Sequence, residues 1–585
     1  MTRNTVARKT MTREAGTRKS RLVAGFLLVA VVGLCRPVRA QTRNAESEAE
    51  SESCSRCHSE IYKTYGKTGM ANASGRAADG LIPGAFEDKT SDVRYRVYKE
   101  GDRVWMSYER ASEKFRGQRE LLYFIGSNRK SRSYFFSDQG FLFATPINWY
   151  SQQGHWGMMP ALAEAKQIPM NLPALMDCMN CHSSGLQSPV AGTDNKFVGP
   201  PFQHDGITCQ RCHGDGKEHG EEKAENGHLS ATLVNSAEAS STGSIVNPAK
   251  LPANRRDSVC MECHFEGTVG VEQPGKHLYE FQPGEKLSDY IHYFLLSGNE
   301  PETGRALSQV EALALSECKR KSGDQMWCGT CHDPHAEPAA ADKAAYYRNK
   351  CLTCHREDFA AKHHPEKPDC RPCHMPALQS KDVAHTQGTD HRILRYPTAR
   401  PLPRLQVRGT KGAPLVAFPA SDATLATTRD FALAWETLAQ RNAEGGPQRA
   451  EEYLREAVQE RPEDPVLLGA LGLVEQKHGH DKEARDLYER ALKADPLAND
   501  ATANLAILEA QSGNLPRAVQ LWQGAFARIP YRSAIGLNLA MAFCVAGQKE
   551  EARHYLTQVL EFNPDYLKGK QLLAHLDQQP AQCKP

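Results

Sequence analysis

Seven pentapeptides of one form run through the middle of the chain: "CSRCH" (54–58), "CMNCH" (178–182), "CQRCH" (209–213), "CMECH" (260–264), "CGTCH" (328–332), "CLTCH" (351–355) and "CRPCH" (370–374). They absorb fourteen of the 18 cysteines. Two thiols separated by two residues can add to the two vinyl groups of one porphyrin. The next residue then lies beneath the iron, where His supplies a nitrogen ligand. A structural zinc site pairs two Cys-x-x-Cys halves, or joins one half to two spaced histidines, and nothing in it requires His directly after the second Cys. Disulfides would leave the seven histidines equally unexplained. The pattern predicts seven covalently bound haem c groups. Cys54, Cys57, Cys178, Cys181, Cys209, Cys212, Cys260, Cys263, Cys328, Cys331, Cys351, Cys354, Cys370 and Cys373 make the thioether links. His58, His182, His213, His264, His332, His355 and His374 are the proximal ligands. With so many macrocycles between residues 54 and 395, haem faces should replace much of the side-chain core, and short helices and loops should wrap round them.

Seven irons take up to seven further ligands. Outside the motifs, residues 54–395 hold His155, His204, His219, His228, His277, His292, His335, His363, His364, His385 and His391, against four histidines in the rest of the chain. This enrichment predicts bis-His coordination. His335 in "CHDPH", His204 ahead of "DGITCQRCH" and one of His363 or His364 ahead of "CRPCH" are the foremost distal candidates, followed by His385 and His391 in "DVAHTQGTDHRI". For each the alternative is a solvated or outer-shell role. Met70, twelve residues after His58, is either a distal thioether ligand, which would raise the potential of its haem, or a core gap-filler.

The chain opens with an export signal. Arg3, Arg8, Lys9, Arg13, Arg18, Lys19 and Arg21 precede the apolar run "LVAGFLLVAVVGLC" (22–35), and "VRA" (38–40) places a small residue before Gln41, the expected cleavage point. Fourteen apolar residues fall short of the ~20 that span a bilayer, so the alternative of an uncleaved anchor is disfavoured. Residues 1–40 are read as signal peptide and 41–53, with "NAESEAESES", as an acidic, disordered spacer. No later stretch could span a membrane. The mature protein is expected in the periplasm, with the cell surface as alternative. A formal net charge of +2 points to no nucleic-acid partner.

Within the haem region, 54–395, the segment of about 90–150 differs. "VRYRVYKEGDRVWMSYER" and "RSYFFSDQGFLFATP" alternate with period two about Gly turns, which predicts a small β-hairpin insert. A polar stretch at 213–244 reads as a surface loop, and the Pro- and Gly-rich 396–427 as a linker. Beyond it Pro462, Pro496, Pro530 and Pro564 recur at one interval, as do Ala450, Ala484, Ala518 and Ala552, and Leu454, Tyr488, Trp522 and Leu556. A 34-residue period with small residues where helices touch is that of the tetratricopeptide repeat. Residues 428–580 are therefore predicted to form an α-solenoid able to take a protein or peptide partner. The whole reads as mainly α: a multihaem c-type cytochrome region with few regular elements, then the solenoid. Cys544 reads as a buried small residue, while Cys318 and Cys583 stay unassigned.

"CSRCHSEIYKTYGKTGMANAS", "DGITCQRCHGDGKEH", "CGTCHDPH" and "HHPEKPDCRPCHMP" resemble the multihaem cytochromes c of the c-552/c-554 type. That family places a ligand His about a dozen residues after the first motif His, where this chain has Met70. The resemblance implies haem content and electron transfer between redox partner proteins, and names no substrate. The enzyme alternative comes from related reductases acting on nitrite, hydroxylamine or a sulfur oxyanion at one open haem. Pentahaem nitrite reductases use a Cys-x-x-Cys-Lys motif there; "LSECK" (315–319) ends in Cys-Lys but has Leu315 in place of the first Cys.

Overall fold

The computed structural model describes residues 51–111, 115–220, 245–296, 308–356, 369–377, 389–395, 415–419, 424–443 and 445–578. The signal peptide, His228, His363, His364, His385, Cys583 and most of the linker lie outside them. All described residues belong to one unit, Ala45–Pro585. The last residues of the acidic spacer, from Ser51, are helical and run into Cys54.

The small hairpin insert expected near 90–150 is instead part of a nine-stranded sheet. An antiparallel meander runs through β2 (Gly84–Asp88), β3 (Val93–Glu100), β4 (Arg103–Arg110), β5 (Phe115–Ile125), β6 (Ser131–Asp138), β7 (Phe141–Tyr150) and β8 (His155–Met158). Two short strands extend it, β1 (Ser74–Arg76) along β5 and β9 (Leu172–Pro173) along β7. The alternation places residues as the pattern demands: Val93, Tyr95 and Val97 are buried, Arg94 and Arg96 exposed. Gln139 (φ 51°) and Gly140 (φ 84°) form the two-residue loop between β6 and β7, both left-handed, as the tight hairpin turn requires. The sheet curls until its ends meet. Trp156 on β8 donates its indole N–H to the Ile82 carbonyl, 3.1 Å away, and a Cβ on Gly84 would stand 2.7 Å from its ring. Near-closure of this kind protects strand edges. The strands that the sequence concealed are short and polar or Gly-bearing ("SGR", "GAFED", "LP"), too brief to show a period.

From Thr428 to Gln578 nine helices form the solenoid. The periodic residues are its core: Ala450, Ala484, Ala518 and Ala552 are buried, as are Leu454, Tyr488, Trp522 and Leu556. The reason is distance. A Cβ on Gly472 would approach Tyr488 to 2.7 Å, and one on Gly536 would reach Val559 at 2.2 Å. Cys544 is buried, and it is disulfide-bonded rather than a plain small residue.

The solenoid lies against the rest of the unit along one edge. Phe141 and Phe143 on β7 meet Tyr531 and Phe562 edge to face, with centroids 5.5–5.9 Å apart. Beside them, buried Arg110 of β4 grips buried Asp565 through two hydrogen bonds of 2.9 and 2.8 Å. Arg110 also donates to the Ser91 and Lys166 carbonyls, and Asp565 accepts from the Ile168 N–H and Lys570. At the other end, a second sheet of β12 (Val269–Glu272), β13 (Ile291–Leu296) and β14 (Leu415–Phe418) packs Phe294 against Phe431 of the first solenoid helix. There His292 bonds Asp430 at 2.9 Å. β14 lies in the stretch read as linker, so that stretch contributes a strand.

Candidate haem sites

The helices that carry the motifs are short. Gln210–His213, Cys328–Cys331 and Arg371–His374 are single turns, and Lys343–Leu352, which ends in motif six, buries no residue. In each motif the backbone N–H of His bonds the carbonyl of the first Cys or lies within the same turn, as at His58, His213, His332, His355 and His374. That turn sets two thiols and an imidazole on one side.

The motif thiols adjoin in groups: the first with the third, the second with the fourth and fifth, and the sixth with the seventh. Cys54 of the first lies within hydrogen-bonding reach of Cys209 of the third; Cys181 reaches Cys263, Cys260 reaches Cys328, and Cys351 reaches Cys370. None of these is in a disulfide. Burial pushes Cys178 and Cys351 up to about 11 and Cys212 up to about 12, so they stay protonated at neutral pH. Between the motifs runs one cavity of about 2870 Å³, lined by cysteines of motifs two to six and by His182, His264, His332 and His355. A pocket for a single organic ligand holds roughly 300–1,000 Å³. This one has room for several.

The axial geometry tests haem against zinc. His335 faces His213 with Nε2 atoms 3.5 Å apart, ring centroids 5.8 Å apart and planes 9° from parallel. The centroid separation exceeds the nitrogen separation by about the centroid-to-nitrogen distances of both rings, so the two nitrogens point at one another along a line. Two imidazoles on opposite sides of one metal ion need about twice a bond of ~2.0 Å between those atoms. The fit is close. His213 Nδ1 donates to the Val246 carbonyl at 2.8 Å, which leaves Nε2 as the ring nitrogen free to ligate. His391 stands beside His332 with centroids 6.1 Å apart and planes 28° from parallel, and its Nδ1 donates to the Thr389 carbonyl at 2.7 Å. His374 Nδ1 bonds the Leu394 carbonyl at 2.6 Å. Burial, reinforced by neighbouring imidazoles, lowers the pKa of His264, His332 and His335, and burial also lowers that of His391. They are held in the neutral form that binds metal. By contrast, no three motif cysteines or histidines among the described residues bring their ligand atoms within 4.8 Å of one another, as a four-ligand zinc centre would need.

Other expected residues take different places. His204, on β11 (Phe202–His204), is buried opposite Ser184 of β10 (Ser184–Leu186), so it adjoins the end of motif two although it precedes motif three in sequence. Met70 lines the large cavity, and its carbonyl accepts from the Ile207 N–H just ahead of motif three. His292 is the solenoid anchor described above, and His277 pairs with Glu272. Lys319 turns its ammonium to the Met326 carbonyl at 2.7 Å, while Cys318 lines the cavity. One trio outside the motifs, Glu475, His478 and His480, has ligand atoms within 4.8 Å. Arg455 and His480 already occupy both oxygens of Glu475, and Asn514 caps Glu509 in the next repeat in the same manner. The trio is a repeat turn. The hydrogen-bond acceptors behind the proximal histidines had no sequence signal, because any carbonyl serves.

Residues 150–214 match the family described as cytochrome c554 and c-prime, and residues 320–360 match the doubled CXXCH motif. The chain carries c-type cytochrome and tetratricopeptide regions. No curated relative matches it. Among solved structures it is similar to MamA residues 41-end from Desulfovibrio magneticus RS-1, at 20% identity over 26% of this chain and 89% of that one, TM-score 0.24. PilF of Pseudomonas aeruginosa is 22% identical over 26% and 71%, TM-score 0.23. YrrB, described as a TPR protein with an unusual peptide-binding site, is 17% identical over 26% and 77%, TM-score 0.22.

Proposed function

We propose that this protein is an exported, periplasmic heptahaem cytochrome that passes electrons between redox partners, with haem attached across residues 54–395 and the repeats of 428–580 offered to a protein partner. The alignment of His213 and His335 carries the reading. Bound haem supplies one-electron chemistry at an iron whose potential follows its axial ligands and surroundings. His213 and His335 would hold one group between them, and His332 and His391 another, which would leave neither open to substrate. The Val246 and Leu394 carbonyls keep His213 and His374 in the ligating tautomer. The adjoining of motifs in groups favours a relay over separate sites. Lys319, which the reductase reading would make a proximal ligand, donates instead to the Met326 carbonyl. The solenoid uses its inter-repeat turns and the start of its first helix against the haem region, so partner docking falls to its remaining faces. Among described residues no helix is long and apolar enough to cross a membrane.

Intact mass of the mature holoprotein should exceed the peptide mass by seven haem masses; any other count refutes the assignment. Electron paramagnetic resonance should show low-spin ferric haem, and His335→Ala should convert one haem to high spin with the number of attached haems unchanged. A wild-type high-spin signal that shifts with nitrite or hydroxylamine would overturn the carrier reading in favour of a reductase.

A further inference from the structure

The two residues between the cysteines differ from motif to motif, and in three motifs they meet. Asn180 of "CMNCH" and Glu262 of "CMECH" are 1% and 2% exposed, and Arg211 of "CQRCH" reaches them from the third motif. Asn180 Nδ2 donates to Glu262 Oε1 at 3.2 Å. Arg211 Nη2 donates to Asn180 Oδ1 at 2.9 Å, to the Asn180 carbonyl at 3.2 Å, and to Glu262 Oε1. The Glu262 carbonyl also lies 3.9 Å from Cys181 Sγ. Among the described residues no other motif does this: Arg371 of "CRPCH" bonds Asp369, one residue ahead of its own motif. Segments separated by up to 82 residues are thus joined by one buried ion pair and its amide, through side chains that attach nothing.

We infer that Arg211, Glu262 and Asn180 form a clamp that positions motifs two, three and four against one another and sets the electrostatic surroundings of the three haems they hold. The inference rests on the haem reading above. A charge pair withdrawn from water tolerates the loss of both members far better than the loss of one, because the remaining charge is left uncompensated in a poorly polarisable interior. An uncompensated cation beside an iron favours its ferrous form, and an uncompensated anion favours the ferric form. The two single substitutions therefore carry opposite signs.

The test is a redox titration of the full-length holoprotein at alkaline pH, read by haem absorbance, with intact mass as control. Glu262→Gln should raise the potentials of a subset of three haems, Arg211→Met should lower them in the same subset, and the double variant should return near wild type. The remaining haems should not move. Shifts of the same sign in both single variants, or none in either, would overturn the inference while seven haems in the mass leave the haem reading intact. If Glu262→Gln loses haem at these motifs, the double variant should restore attachment; a loss that it does not restore refutes charge compensation. A mass lacking haem altogether would instead sink the underlying reading.

Discussion

The solenoid and the motif-bearing helices are both short-helix structures, yet they are stabilised by different means. In the solenoid Lys549–Phe562 buries Ala552, Leu556, Val559 and Phe562 against its neighbours. In the haem region Lys343–Leu352 buries nothing, and neither do Ser59–Tyr65 or Cys328–Cys331. Isolated helices of this length are marginal in water. The solenoid gains its stability from aliphatic contacts that repeat; in the haem region only some motif helices, Met176–His182 and Ala253–His264, bury side chains of their own, and the others have none to hold them. The nine-stranded sheet stands between the two, with an ordinary aromatic core that is continuous with the solenoid's.

The harshest way to break that contrast is to deny the chain its haem. Full-length protein made without haem attachment should be cut by protease within 328–377, while 74–173 and 428–578 resist; equal cleavage throughout would show that the regions do not differ. Next in size is the joint between sheet and solenoid. Asp565→Ala leaves Arg110 buried without its partner and should cost about 3–5 kcal/mol in urea unfolding of the holoprotein. A change near zero would mean that the aromatic contacts alone hold the edge. The same pair gives a pH signature. Burial alone would raise the Asp565 pKa, but Arg110, Lys570 and the Ile168 N–H outweigh it and hold it below the usual carboxylate range. Its contribution is complete above about pH 4, the unfolded value, and is lost as pH falls through the lower folded value. Asp565→Asn should therefore flatten the acid limb of the stability curve. The smallest effect belongs to the repeat itself: Gly536→Ala, whose Cβ would press on Val559 and Phe526, should cost about 1–3 kcal/mol with haem spectra unchanged. A spectral change there would show that the two regions are coupled more tightly than their contacts suggest.

Much of the site was legible before any coordinates. Cys-x-x-Cys-His is a local signature, since one helical turn suffices to place its three side chains. The repeats were legible because a strict interval repeats one packing problem. The extent of the sheet was not, since β1, β2 and β9 are too short to carry a period and are recruited by longer neighbours. Nor was β14, a strand of four residues in a Pro-rich stretch, which exists because β13 offers it an edge. Histidine counting gave a pool of axial candidates but could not sort it: His335 and His391 stand beside motif imidazoles, while His292 belongs to the solenoid joint.

Sequence alone determined the c-type cytochrome motifs and how the repeats pack, because those depend on neighbours within a turn or a fixed interval. Only the tertiary structure decided which histidine faces which, that the solenoid is bound along its edge through Arg110 and Asp565, and that Asn180, Arg211 and Glu262 share one buried network. Those are meetings between segments tens to hundreds of residues apart, where burial makes each polar group find a partner and no local pattern says which.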